Sequence, residues 1–285
     1  MDLIIKNGTI VSPTATFKAD VCVDNGKIVA ITADAGTDAD KVVDASGKMV
    51  LPGAIDAHTH LAMPFGGTIS SDDYYAGTRA AACGGTTTVF DFILQDFGET
   101  MVDAIKRRDA LCAPDAAVDY AFHVAVKDVS NGLIDTIEDA VNYGVSSFKV
   151  FMVYDFGVTD GVFYKVLEKA KSCGAMISVH AENKQLIDVL TERYLSEGKT
   201  SAWYHYMSRP EFVEGEADIK QSSLQRALTP SCTSYTLQIR KVCRRLKEQG
   251  TRAIRYMPKP VRSTLNLPPR YTREQTAETL YAHLR

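Results

Sequence analysis

Through residue 52 the apolar residues come in short runs broken by turn formers. Leu3-Ile4-Ile5 and Thr9-Ile10-Val11 flank Asn7-Gly8, and Val21-Cys22-Val23 and Ile28-Val29-Ala30-Ile31 flank Asp24-Asn25-Gly26-Lys27. Asn-Gly between β-forming runs supplies the positive φ angles of a tight hairpin turn. Residues 1–52 therefore predict a small antiparallel β unit.

From Gly53 the pattern changes to strand-length apolar runs alternating with helix-length amphipathic ones. Strands are predicted at Thr86–Phe92, Val118–Val126, Ser147–Val153 and Met176–His180. Helices are predicted at Met101–Leu111, Leu133–Tyr143 and Val162–Cys173, with Gly144 and Gly174 as C-terminal stops. Strands separated by single helices imply right-handed βαβ units and a parallel sheet. Four or five units in a row favour a (β/α) barrel, or part of one, over a doubly wound sheet. No Gly-x-Gly-x-x-Gly fingerprint follows the first strand.

Composition changes this picture only at the C-terminal side. Hydrophobic residues make up 45% and charged residues 24% of the 285, as in an ordinary globular protein. No apolar run approaches membrane-spanning length, and Met1-Asp2-Leu3 opens no signal peptide. Six cysteines without Cys-x-x-Cys spacing argue against a disulfide framework or a zinc ribbon, so reduced thiols in a cytoplasmic protein are expected. The overall charge of −3 hides a split: residues 1–218 carry a net −14, and residues 219–285 a net +11 with no aspartate and one glycine, Gly250.

Candidate chemistry follows from the barrel rule that active sites form at the C-terminal strand ends. His58 and His60 close the run Met49–Ile55 plus Asp56-Ala57, and residues at i and i+2 of a strand face the same way. Alone, a His-x-His pair reads more readily as two ordinary surface or core histidines. Lys149 lies inside an apolar strand, where an uncompensated cation is expensive. His180 closes another strand. Three strands thus aim His, Lys and His at one rim. His123 reads as a structural histidine, and His205 as structural or near a subunit contact.

These residues sit in stretches that resemble the dihydropyrimidinase and hydantoinase group of cyclic amidohydrolases. The stretches are Asp56-Ala57-His58-Thr59-His60, Met63-Pro64-Phe65-Gly66-Gly67-Thr68, Gly84-Gly85-Thr86-Thr87, Lys149-Val150-Phe151-Met152, Val179-His180-Ala181-Glu182-Asn183 and Ser208-Arg209-Pro210. The resemblance runs in register to about Glu216. It implies an α/β fold: the N-terminal part of a metal-dependent (β/α)8 TIM barrel over 53–218, packed with the N-terminal portion of a small β-sandwich, 1–52. It also implies two divalent ions, usually zinc, with His58 and His60 on the more buried one and His180 on the second. Carbamylated Lys149 would bridge the two. Tyr154 would hydrogen-bond the oxyanion, and Met63, Phe65, Phe151 and Phe156 would form an apolar wall for the ring substituent. The implied partners are a small cyclic ureide substrate and further copies in a homotetramer, with neither nucleic acid nor membrane. The alternative is a non-catalytic relative acting as an assembly protein, against which the four ligand-type residues stand.

The family pattern also needs a later histidine and aspartate. After Asp218 the chain has one histidine, His283, and no aspartate. A one-nucleotide shift applied to Thr229–Val242 permits Leu-Tyr-Ile-Val-His-Leu-Ala-Asp-Lys-Glu-Gly, which resembles the family strand bearing that histidine. The same shift on Arg255–Asn266 permits Val-Tyr-Ala-Glu-Thr-Cys-Pro-Gln-Tyr-Leu-Glu, another hallmark. Residues 219–285 are therefore expected to be an aberrant basic tail read out of frame, leaving the chain impaired. A nucleic-acid-binding arm is the competing reading of the tail.

Overall fold

In the computed structural model, the structure describes residues 1–228. Of the segment 219–285 expected to be out of frame, the part from 229 on lies outside the described residues, as does His283. Among the described residues the chain divides into two compact units, one built from Met1–Phe92 and Asp109–Ala121, the other from Ile93–Arg108 and 122–228.

The first unit begins with β1 (Leu3–Val11), β2 (Thr16–Asp24), β3 (Lys27–Thr32), β4 (Lys41–Asp44) and β5 (Met49–Val50). β1, β2 and β3 are antiparallel neighbours, as their alternation predicts, but β4 and β5 pair parallel to β1, so the sheet is mixed. Asn25 and Gly26, both at positive φ, make the β2–β3 turn. Asn7-Gly8 does not separate two strands. Asn7, at φ 63°, sits in a bulge within one nine-residue strand, its N–H held by Asp20 at 2.8 Å. The bulge keeps Leu3, Ile5 and Ile10 in one core with Val21, Val23 and Ala45.

The second sheet holds β6 (Ala54–Thr59), β9 (Thr86–Leu94), β10 (Asp119–Ala125), β11 (Ser147–Phe151) and β12 (Met176–His180), in the order β12-β11-β10-β9-β6. Between β6 and β9 lie a short hairpin, β7 (Pro64–Phe65) and β8 (Thr68–Ile69), and helix α1 (Tyr74–Cys83). Helices α2 (Met101–Cys112), α3 (Thr136–Tyr143) and α4 (Asp160–Cys173) follow β9, β10 and β11, and α5 (Lys184–Ser196), α6 (Ala202–Met207) and α7 (Glu211–Leu228) follow β12. Each strand neighbours the next one in sequence with no reversal, so there is no switch point of the doubly wound kind. The sheet is part of a (β/α) barrel. Leu133–Asp135, expected to start a helix, is a separate 3-10 turn entered through Gly132 at φ 83°. Gly144 and Gly174 end α3 and α4 in the left-handed conformation, as expected.

At the end of this sheet β6 has β9 on one side and, among the described residues, no neighbour on the other. Ile55 is 64% exposed as a result. No helix of the described residues is long and apolar enough to cross a membrane.

Candidate metal centre

In the first unit, two close approaches shape the strand that carries the histidine pair. A Cβ on Gly53 would stand 2.1 Å from Thr87 Oγ1, so glycine lets β6 lie against β9. A Cβ on Gly77 would stand 2.4 Å from Leu61, so α1 rests directly on the turn after His60. Asp91, fully buried in β9, secures that turn: Leu61 N–H donates to it at 2.9 Å, Tyr74 hydroxyl at 2.5 Å and Thr59 hydroxyl at 3.4 Å.

On this scaffold His58 and His60 stand with their Nε2 atoms 3.2 Å apart, and both rings pack on Phe92, with centroids at 4.4 and 4.9 Å. Two imidazole nitrogens on one tetrahedral zinc ion, each at about 2.0–2.1 Å, stand about 3.4 Å apart. The pair therefore fits a single ion. In the same unit Met63 is buried and its N–H donates to Ser70 hydroxyl, whereas Phe65 is exposed on the β7–β8 hairpin.

In the second unit β11 is buried along its whole length. Phe148 and Val150 face one side; Ser147, Lys149 and Phe151 face the other. Lys149 is 5% exposed, and burial pushes its amine down to about 8. Its Nζ stands 5.6 Å from the Phe151 ring centroid. Below it, His123 Nδ1 and Ser147 Oγ form a buried hydrogen bond of 2.6 Å, which matches the structural role expected for His123.

Past the strand end, Phe151, Tyr154 and Phe156 form a ring cluster with centroids 5.3–5.8 Å apart. His180 stacks on Phe151 at 5.8 Å and meets Tyr154 at 5.6 Å. Tyr154 has φ 72°, a conformation that is strained for a bulky L-residue and is found where function or surrounding packing enforces it. Burial, and next the Glu182 charge, pushes its hydroxyl up, so it remains a proton donor at neutral pH. A cavity of about 580 Å³ opens beside Tyr154 toward α5. Neither Lys149 nor His180 lines it.

Sequence reasoning gave no role to Asp91, Glu182 or Arg209. Glu182 Oε2 lies 2.7 Å from His180 Nε2, and Arg209 Nε lies 3.6 Å from Glu182 Oε1. Burial pushes the Glu182 carboxyl up, but the His180 hydrogen bond, His180's charge and the Arg209 guanidinium together outweigh it and hold the group below the usual glutamate range. The signals were available: an acid in the middle of an apolar strand, and two charged residues inside stretches already singled out. His205 is exposed on α6 and lies against Arg209. Among the described residues no three His, Cys, Asp or Glu side chains converge as a ready-made ion site. The candidate ligand set instead counts on a lysine.

Residues 49–251 match the amidohydrolase family. The chain is 43% identical over 220 residues to a D-hydantoinase of Geobacillus stearothermophilus, an alignment covering 76% of this chain and 47% of that protein. It thus spans about half the length of the curated relatives it matches. Among solved structures, a D-hydantoinase superposes with a TM-score of 0.83 at 37% identity, covering 90% of this chain and 56% of the other. A dihydropyrimidinase from Brevibacillus agri NCHU1002 superposes with a TM-score of 0.81 at 41% identity, covering 88% and 56%.

Proposed function

The chain belongs to the amidohydrolase family, and from that premise we propose that it derives from a cyclic amidohydrolase of the hydantoinase and dihydropyrimidinase kind. The reaction is hydrolysis of the ring amide C–N bond of a hydantoin or dihydropyrimidine, giving an N-carbamoyl amino acid. The observation that carries the reading is Lys149, a buried amine held near 8 on a barrel strand, in a chain 43% identical to a D-hydantoinase.

His58 and His60 would hold one divalent ion, zinc by the resemblance, and His180 a second. Lys149 would bridge them as its carbamate. Carbon dioxide adds to the neutral amine, forming one N–C bond and releasing one proton. Moving the amine from 10.5 to about 8 raises its neutral fraction at pH 7 by about 300-fold, which favours that addition. When bound, the ions would lower the pKa of a coordinated water and polarise the ring carbonyl. Tyr154 would donate its hydroxyl proton in a hydrogen bond to the oxygen that gains charge as the carbonyl is attacked. Phe151 and Phe156 would offer an apolar surface to the ring substituent, with Met63 and Phe65 serving the same end. Cytoplasmic location, which rests on the cysteine usage, and homotetrameric assembly, which rests on the resemblance, belong to the same proposal.

The same reading holds that residues from about 219 are out of frame and that this chain is impaired. Helix α7 supports it. Along its buried face Val213 and Ala217 are followed by Asp218, Gln221 and Gln225, all buried, and the Gln225 Nε2 amide is buried without a hydrogen-bond partner. A helix face that turns from apolar to polar in its interior is a mismatch between sequence and fold. The nucleotide sequence around the codon for Asp218 tests this: a single-base shift should restore the two hallmark motifs, and the absence of any such frame contradicts it. The lysine is tested separately by carbon-13 NMR of the protein equilibrated with labelled bicarbonate and zinc. A carbamate signal absent from Lys149→Ala is expected; the same signal in both proteins removes Lys149 from the site.

A further inference from the structure

The motifs around His180 and Arg209 interlock in a way that the proposed reaction does not use. Asn183 side-chain oxygen caps α5 at Leu186 N–H (3.2 Å), its own N–H donates to Val213 carbonyl (3.2 Å), and its Nδ2 donates to Glu216 (2.6 Å). This ties the end of β12 to α7. Arg209 Nη1 is fixed by three contacts of 3.1 Å, to Ser208 hydroxyl, His205 carbonyl and His205 Nδ1. From there its Nε reaches Glu182 Oε1 at 3.6 Å, and Glu182 Oε2 meets His180 Nε2 at 2.7 Å.

A carboxylate is an acceptor, so His180 Nε2 carries a proton in that contact, and in the neutral ring Nδ1 is then the nitrogen with a lone pair. An imidazole that binds an ion through one nitrogen is commonly oriented by a carboxylate at the other. The geometry points to Glu182 and Arg209 as a positioning pair for His180: Arg209 orients the carboxylate, and the carboxylate fixes the tautomer and rotation of the ring. The ring contacts with Phe151 and Tyr154 define its plane, but they cannot select a tautomer. Glu182 does. This deepens the proposed function and rests on it for the claim that His180 meets an ion.

The test uses the full 285-residue chain labelled with nitrogen-15 in histidine, with His180→Gln to assign the signal. Metal-free protein above the imidazole titration range should show His180 with the proton on Nε2. Glu182→Ala should lose that preference, and the isosteric Glu182→Gln, whose amide oxygen still accepts, should retain it. Arg209→Ala should weaken it without abolishing it. Zinc titration of the same proteins should show affinity at His180 reduced by about 10–100-fold in Glu182→Ala, with the ion at His58 and His60 unaffected. An unchanged tautomer in Glu182→Ala overturns the positioning role, as does zinc affinity equal to that of the unaltered chain. If the unaltered chain takes up no zinc, the metal reading fails, while the tautomer still decides what Glu182 does.

Discussion

Replacing Lys149 by methionine should stabilise the metal-free protein, because the fold holds this amine under protest. Burial lowers its pKa from 10.5 to about 8. At about 1.4 kcal/mol per unit, the protonated lysine destabilises the native state by about 3 kcal/mol relative to the unfolded chain. The Phe151 ring, 5.6 Å from Nζ, returns up to about 1 kcal/mol of that. Methionine fills a similar volume without a charge, so a net gain of about 2 kcal/mol is expected at pH 7. Between pH 8 and 10.5 the unfolded chain binds more protons at this site than the native one, and stability of the parent therefore rises with pH across that window. Below pH 8 both states are protonated and the deficit is present in full. Above 10.5 both are neutral and it vanishes. Urea unfolding of the two proteins in carbon-dioxide-free, chelator-containing buffer should show a gap that is constant up to pH 8 and closes by pH 10.5. A gap independent of pH would refute the reasoning, as would a variant less stable than the parent at pH 7.

Other perturbations probe the scaffold and the site. Gly53→Ala should destabilise the fold by about 1–3 kcal/mol, because its Cβ would land 2.1 Å from Thr87 Oγ1; thermal melts read this, and an unchanged melt would show that β6 and β9 can separate freely. His58→Ala should abolish tight zinc uptake at the paired imidazoles while leaving the far-ultraviolet dichroism intact, since its side chain is exposed; retained uptake in competition with a chromogenic chelator would count against the pair as ligands. In a frame-restored enzyme, Tyr154→Phe should lower kcat by about 100–1000-fold with little change in KM, as for loss of one oxyanion donor. An effect confined to KM would make Tyr154 a binding residue instead.

Much of the barrel was legible because β9, β11 and β12 are apolar runs that begin shortly after a glycine, and parallel strands buried on both faces produce such runs. The bulge at Asn7 was not, since Asn-Gly supplies positive φ equally to a turn or to a bulge, and the choice depends on whether the pairing of β1 with β2 resumes beyond it. His58, His60, Lys149 and His180 stood out as polar residues closing or interrupting apolar strands. Asp91 did not, although it too interrupts one: its value lies in Leu61, Tyr74 and Thr59, which reach it only after folding. Glu182 and Arg209 are 27 positions apart in the chain, and no local pattern pairs them. Helix α7 shows the converse. Its first half follows the apolar period and its second half buries glutamines, a conflict that composition had already signalled at the same place through the change of net charge.

The most direct test of the account is ring opening by the frame-restored gene product, followed as formation of N-carbamoyl products from dihydrouracil and from hydantoin. Turnover that is abolished by a chelator, recovered with zinc and bicarbonate, and absent from the 285-residue chain is the predicted result. A restored protein that binds zinc yet opens neither ring would contradict it.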